Sequence, residues 1–179
     1  MTPDSVVLMA HYNQWMNDRL HVACTRLTHQ VLTEEKGAFF GSILGTLNHI
    51  AVGDTIWLHR FSRLPGGFQS LHKLNEFAQP TSLRETLVTN LSDWRAYRTK
   101  LDAMILLWAH EVTATQLSTT LTTVNMAGVS TTRKLEPLVQ HFFNHQTHHR
   151  GQISTLLFQM GVDVGETDLL NVIPAIGLL

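Results

Sequence analysis

PLVQHFFNHQTHHRGQISTLLFQM, residues 137–160, is the stretch from which the rest of the chain can be read. Pro137 suits a first helical turn, where its missing N–H costs nothing, and Gly161 stands just past Met160, where a left-handed residue closes a helix. Leu138, Phe142, Ile153, Leu156 and Met160 recur at helical spacing, so the pattern predicts a helix over 137–160 whose apolar stripe faces a core. Four histidines interrupt it: His141, His145, His148 and His149. At about 100° per residue, His149 falls near the middle of the stripe and His145 about 40° aside, one turn earlier. His141 and His148 swing about 40° to 60° further, toward the flank. Two imidazoles one turn apart on an inward face can converge on one metal ion, as in H-E-x-x-H helices. The glutamate of that motif is absent here, so the pair does not signal a metalloprotease. The competing reading is structural, with inward histidines bonded to backbone or side-chain partners in the core. Spacing alone leaves the two readings level.

The whole chain has 179 residues, 44% hydrophobic and 15% charged, a profile that fits one globular domain over 1–179. A formal net charge of −1 and a pI of 6.8 provide no basic field for phosphate backbones, so nucleic acid is not an expected partner. Cys24 is the only cysteine, which excludes an intrachain disulfide; on a helix it reads as a small core hydrophobe rather than a nucleophile. The N-terminus MTPDSVVLMAHYNQ lacks the basic region and long apolar core of a signal peptide. No apolar run approaches the roughly 20 residues of a membrane span. The expected location is therefore cytoplasmic, with no membrane partner.

Thr2 and Pro3 predict a helix start, and Leu8, Tyr12, Trp15, Met16 and Ala23 make one face of a helix running to about Leu27. A second helix is expected from Gly41 or Ser42 to about Ser62, with Ile43, Leu47, Ile50, Trp57 and Phe61 buried. His49 lies about 100° off that face among Gly45, Thr46 and Gly53, which makes it either a groove or surface histidine or one that lines a cleft. Asp54 sits nearer the apolar face and needs an arginine or histidine partner. PGGFQSLHKLNEFAQP (65–80) carries too many breakers for a long helix and reads as a loop. A capping box at Ser82 to Glu85 is expected to start a third helix that carries Leu87, Leu91, Trp94, Leu101, Ile105 and Trp108 to about His110. Arg95 and Arg98 read as solvated or ion-paired residues. The threonine-rich LSTTLTTVNMAGVSTTRKL, with a turn at Asn125 to Gly128, predicts a short β-hairpin before the last long helix. The tail 161–179 is apolar enough to pack on the helices or on a partner.

YNQWMNDRL (12–20), GAFFGSILGTLNHIAVGDTIWLHRF (37–61) and HFFNHQTHHRGQ (141–152) together resemble the DinB family of DinB/YfiT-like metalloenzymes, over nearly the full chain. The resemblance implies an all-α, up-down four-helix bundle, commonly a homodimer, that holds a divalent metal through three histidines. The family's ligand positions fall on His49 of LNHI and on His145 and His149 of HQTHH. The last two are the pair that helical geometry turns inward; His49 rests on the resemblance.

Three neutral nitrogen ligands suit zinc or nickel and leave positions open for water or a small thiol. The function implied is that of a metal-dependent, thiol transferase-like enzyme using a low-molecular-weight thiol and a small-molecule substrate. A metal-dependent hydrolase and a non-catalytic metal- or ligand-binding bundle are the alternatives. The family takes its name from induction by DNA damage and carries no DNA-binding site. His148, Arg150 and Gln152 lie in the matched motif without being ligands; Gln152 can bond a ligand or pack a helix. Gly151 most simply permits the close approach of another helix. Tyr12, Trp15, Trp57 and Phe142 are stripe residues, and pocket walls only where a cleft opens beside them.

Overall fold

The computed structural model describes residues 1–176 and forms α1 (Pro3–Cys24), α2 (His29–Thr33), α3 (Ile43–Phe61), α4 (Leu91–Glu111), α5 (Ala114–Leu117), β1 (Thr120–Val124), β2 (Ser130–Lys134) and α6 (Leu135–Gln159). Short 3-10 turns occur at Gln69–Glu76 and Leu169–Val172. The expected all-α bundle is present, with α1, α4, α3 and α6 packed in that order around a shared core. Asn13 meets Asp102 and Asp18 meets Arg95, so α1 and α4 are antiparallel. Trp94 donates to the Leu47 carbonyl and Phe61 stacks on Trp108, so α3 and α4 are parallel. Trp57 meets His141 and His49 meets His149, so α3 and α6 are antiparallel. The long helices thus run up, down, down, up: residues 62–90 carry the chain back along the bundle, about 28 Å for a helix of 19 residues.

The helix starts follow local chemistry. Thr2 accepts from the Ser5 amide with Pro3 at the first helical position, and Ser42 accepts from the Gly45 amide at 3.0 Å. The box expected at Ser82 to Glu85 does not begin α4. Glu85 turns back to the Thr81 amide at 2.7 Å, and Asn48 of α3 takes the amides of Leu87 and Val88 at 2.9 and 3.0 Å, so those groups are not available to a helix. Asn90 caps α4 instead, accepting from the Asp93 amide at 2.9 Å. α6 begins at Leu135, which leaves Pro137 within the first turn, where no intrahelical partner is lost. α1 ends at Cys24, short of Leu27. The hairpin forms as expected, pairing Thr122 with Thr132 and turning through Gly128 at φ 79°.

Gly161, at φ 75°, closes α6, and the tail returns along α1. Val162 is buried, Tyr12 Oη donates to the Thr167 carbonyl at 2.6 Å, and Arg19 donates to the Val164 carbonyl at 3.0 Å. Residues 177–179 of the expected packing tail lie outside the described residues. No helix among the described residues is long and apolar enough to cross a membrane.

The core is apolar at one end, where Phe61 and Trp108 stack at 4.9 Å with Phe142 edge-on to both. Its middle is ionic. Arg98 of α4, fully buried, pairs with Asp54 of α3 and, at 2.9 Å, with Asp102 one turn on. Asn13 and Asn17 of α1 each donate to Asp102 at 3.1 Å, Gln146 of α6 donates to Asp54 at 2.6 Å, and Arg150 donates to Asn13. Asp54 therefore has the arginine partner its position demanded, and Arg98 is ion-paired rather than solvated. Burial pushes the carboxyls of Asp54 and Asp102 up, that of Asp102 to about 6, against the pull of Arg98.

Arg98→Met leaves two buried carboxylates without their cation, and is expected to cost about 3–5 kcal/mol at pH 7.5 by urea denaturation. Both carboxyls then have folded-state pKa values above the unfolded one, so the fold binds more protons than the unfolded chain. Part of the loss should return as the pH is lowered from 7.5 toward 5.

Candidate metal centre

Gly41, at φ 77°, turns the chain into Ser42, the cap of α3, and a Cβ at Gly45 would strike the Phe40 carbonyl oxygen. That tight entry lays the Phe40 ring flat on His49, two turns into the helix, with centroids 3.6 Å apart and planes 15° apart. The neighbouring Asn48 ties residues 87 and 88 to α3, accepting from both amides and donating to the Val88 carbonyl at 3.0 Å. This strap carries the Leu83 carbonyl to within 2.9 Å of His49 Nδ1. From the opposite side α6 presents His145 and His149 one turn apart. Gly53 makes room for them, since a Cβ there would lie 2.9 Å from His145 Cε1.

The three Nε2 atoms converge. His145 Nε2 lies 3.1 Å from that of His49 and 3.2 Å from that of His149, and one ligand atom from each ring falls within 4.8 Å of the others. Nitrogens about 2.0–2.1 Å from a tetrahedral ion would stand about 3.3 Å apart, so this spacing fits a first-row transition metal. The tautomers fit as well. Leu83 O accepts from His49 Nδ1–H, and Gln152 Oε1 accepts from His149 Nδ1–H at 2.7 Å, which leaves both Nε2 lone pairs bare and facing His145. Three nitrogens meeting with at most one proton among them form a buried negative focus suited to a cation. Burial pulls His145 down to about 3 and His49 to about 4, and lowers His149, so all three rings are neutral near pH 7. Among the described residues, no other histidine, cysteine or carboxylate joins the cluster.

His49, His145 and His149 are thus brought together, and His49, which its spacing makes either a groove or surface histidine or one that lines a cleft, is 5% exposed and lines the cleft. His141 stands apart against Trp57, with ring centroids 5.2 Å apart, and His148 is exposed beside Gln152. Gln152 supports His149 rather than a second helix. Gly151 does not serve a close helix approach: a Cβ there meets nothing within 4 Å, because α6 turns that side to solvent, and Gly53 fills the role instead. Phe40, Asn48 and the Leu83 carbonyl join the site without being expected from the sequence. Asn48 had a signal, a polar residue directly beside His49 in LNHI, whereas a carbonyl delivered by a distant strap has none.

A cleft of about 750 Å³ opens over the rings between α3 and α6. Phe39, Phe40 and Leu83 wall one side, and the hairpin turn at Asn125 to Ala127 walls the other. Trp57 does become a pocket wall, while Phe142 stays in the core.

The sequence pattern described as the DinB family matches residues 2–175. The chain is similar to "Protein DinB" of Bacillus subtilis (strain 168), with 24% identity over 167 residues that cover 92% of this chain and 91% of the relative. No solved structure matches it significantly.

The depressed imidazole pKa values set a direction for the metal-free protein. The unfolded chain takes up protons near pH 6.5 that the folded His49 and His145 refuse until about pH 4 and about pH 3, so stability falls as the pH drops through that window. Melting temperature measured from pH 7.5 to 4 should decline, and the decline should be shallower in His145→Gln than in the wild type.

Proposed function

The chain belongs to the DinB family, and on that premise we propose that it is a metalloenzyme in which His49, His145 and His149 hold a divalent metal, zinc or nickel by the chemistry of the donors. The observation that carries the reading is the convergence of three Nε2 atoms, two of them oriented through their Nδ1 hydrogen bonds. A metal so held would supply Lewis acidity toward a water molecule or the sulfur of a low-molecular-weight thiol. The protein's own part is orientation and exclusion. Leu83 O and Gln152 Oε1 keep the two outer imidazoles in the ligating tautomer, Phe40 covers the face of His49 against water, and Gly53 lets His145 lie against α3.

Three protein ligands favour a site that accepts a fourth from solution over a closed structural one, which supports an enzyme over a bundle merely stabilised by metal. Transfer to or from a small thiol is the leading reaction class and metal-dependent hydrolysis the second; turnover with no thiol added selects hydrolysis. A homodimer, tested by solution mass, completes the reading.

Protein purified without a histidine tag should contain close to one equivalent of transition metal by mass spectrometry, and the triple His→Ala variant essentially none. Equal metal in both overturns the proposal. Gly53→Ala should lower metal affinity by about tenfold or more while the fold persists, because it pushes the His145 ring off the common point.

A further inference from the structure

The cleft over the histidines has a far end with different chemistry. Along α3, His49, Gly53, Trp57 and Arg60 succeed one another at helical spacing and line the same groove. Arg60 stands two turns beyond Gly53, about 10 Å further along by helical rise. Its guanidinium lies 4.7 Å over the Trp57 ring and donates one N–H to the Val124 carbonyl at 3.2 Å, where β1 enters the hairpin turn. A guanidinium has five N–H donors, so the fork keeps donors to spare.

Arg60 differs from the two ion-paired arginines of α4. Arg98 and Arg95 face carboxylates, whereas no carboxylate among the described residues pairs with Arg60. The cleft lining contains Arg60 and five histidines, with no aspartate, glutamate or lysine. Arg60 is half-buried, and its charge is less screened there than on an open surface. An oriented, stacked cation with no carboxylate beside it among the described residues, at one end of a mainly apolar slot, is equipment for binding an anion from solution. One guanidinium supplies one positive charge and a planar fork, which match a carboxylate better than a phosphate dianion.

We propose that the ligand of this cleft is a small carboxylate-bearing molecule, its carboxylate held by Arg60 against Trp57 and its reacting end lying along the groove at His49, His145 and His149, two to three helical turns nearer the start of α3. The proposal rests on the metal-centre reading for the reacting end, while the carboxylate end stands on Arg60 alone. Asn125 to Ala127, anchored through the bond from Arg60 to Val124, then form the wall that closes beside the bound anion.

The test is calorimetric titration of the metal-loaded protein with 6-mercaptohexanoate and with the neutral 6-mercaptohexan-1-ol. The acid should bind about tenfold or more tightly than the alcohol, as expected for a charge-assisted hydrogen bond pair. Arg60→Lys should retain part of that preference, and Arg60→Gln should abolish it while leaving the alcohol's affinity within about twofold. Equal affinities in the wild type overturn the proposal, and so does a preference that survives Arg60→Gln. Hexyl phosphate binding more tightly than hexanoate overturns the assignment to a carboxylate. The triple His→Ala protein separates this inference from the metal reading. There, hexanoate should still exceed hexan-1-ol in shifting the Trp57 indole NMR signal, whether or not the histidines bind metal; loss of the preference in that protein overturns the role of Arg60.

Discussion

A buried ionic knot fixes how the four long helices meet. Asp54 comes from α3, Arg98 and Asp102 from α4, Asn13 and Asn17 from α1, and Gln146 and Arg150 from α6. Apolar side chains tolerate sliding, since many registers bury similar area, but charges withdrawn from water tolerate very few. Each carboxylate here has its cation and an amide donor, and two arginines balance two aspartates. Such a knot adds little net stability over a well-packed apolar core, yet any other register would strand a charge. It accordingly sets the helices' relative heights.

The metal centre inherits that register. Asp54 lies one residue beyond Gly53, and Gln146 one residue beyond His145, so the bond between Asp54 and Gln146 also seats His145 against Gly53. One turn toward the start of α3, His49 then faces His149. Supporting bonds come from both sides, from Gln152 on the same helix and from a carbonyl that Asn48 holds in place. The rings are neutral because burial makes protonation costly, and neutral imidazole is the form that ligates. The packing that disfavours the proton thus prepares the site for a metal.

Around this rigid centre, much of the cleft wall comes from connecting segments: the entry to α3 at Phe39 and Phe40, the strap at Leu83, and the hairpin turn. Walls of this kind can vary without disturbing the bundle, which is how one scaffold serves different small molecules. The protein matches its DinB relative along nearly the whole of both chains at only 24% identity, leaving ample scope for such variation.

The amphipathic helices, the hairpin with its turn, and the inward pair His145 and His149 were legible in the sequence, because helix and strand periodicities and i, i+4 geometry are local properties. The third histidine was legible only through family likeness, since nothing local says which side of α3 will meet α6. The start of α4 was misread at Ser82 to Glu85 because a tertiary donor and acceptor, Asn48, competed for amides that a capping box would have given to a helix. Parallel α3 and α4, the Leu83 carbonyl on His49 and an arginine left without a carboxylate depend on residues far apart in the chain. Only closure of the core, which decides which distant segments meet, settled them.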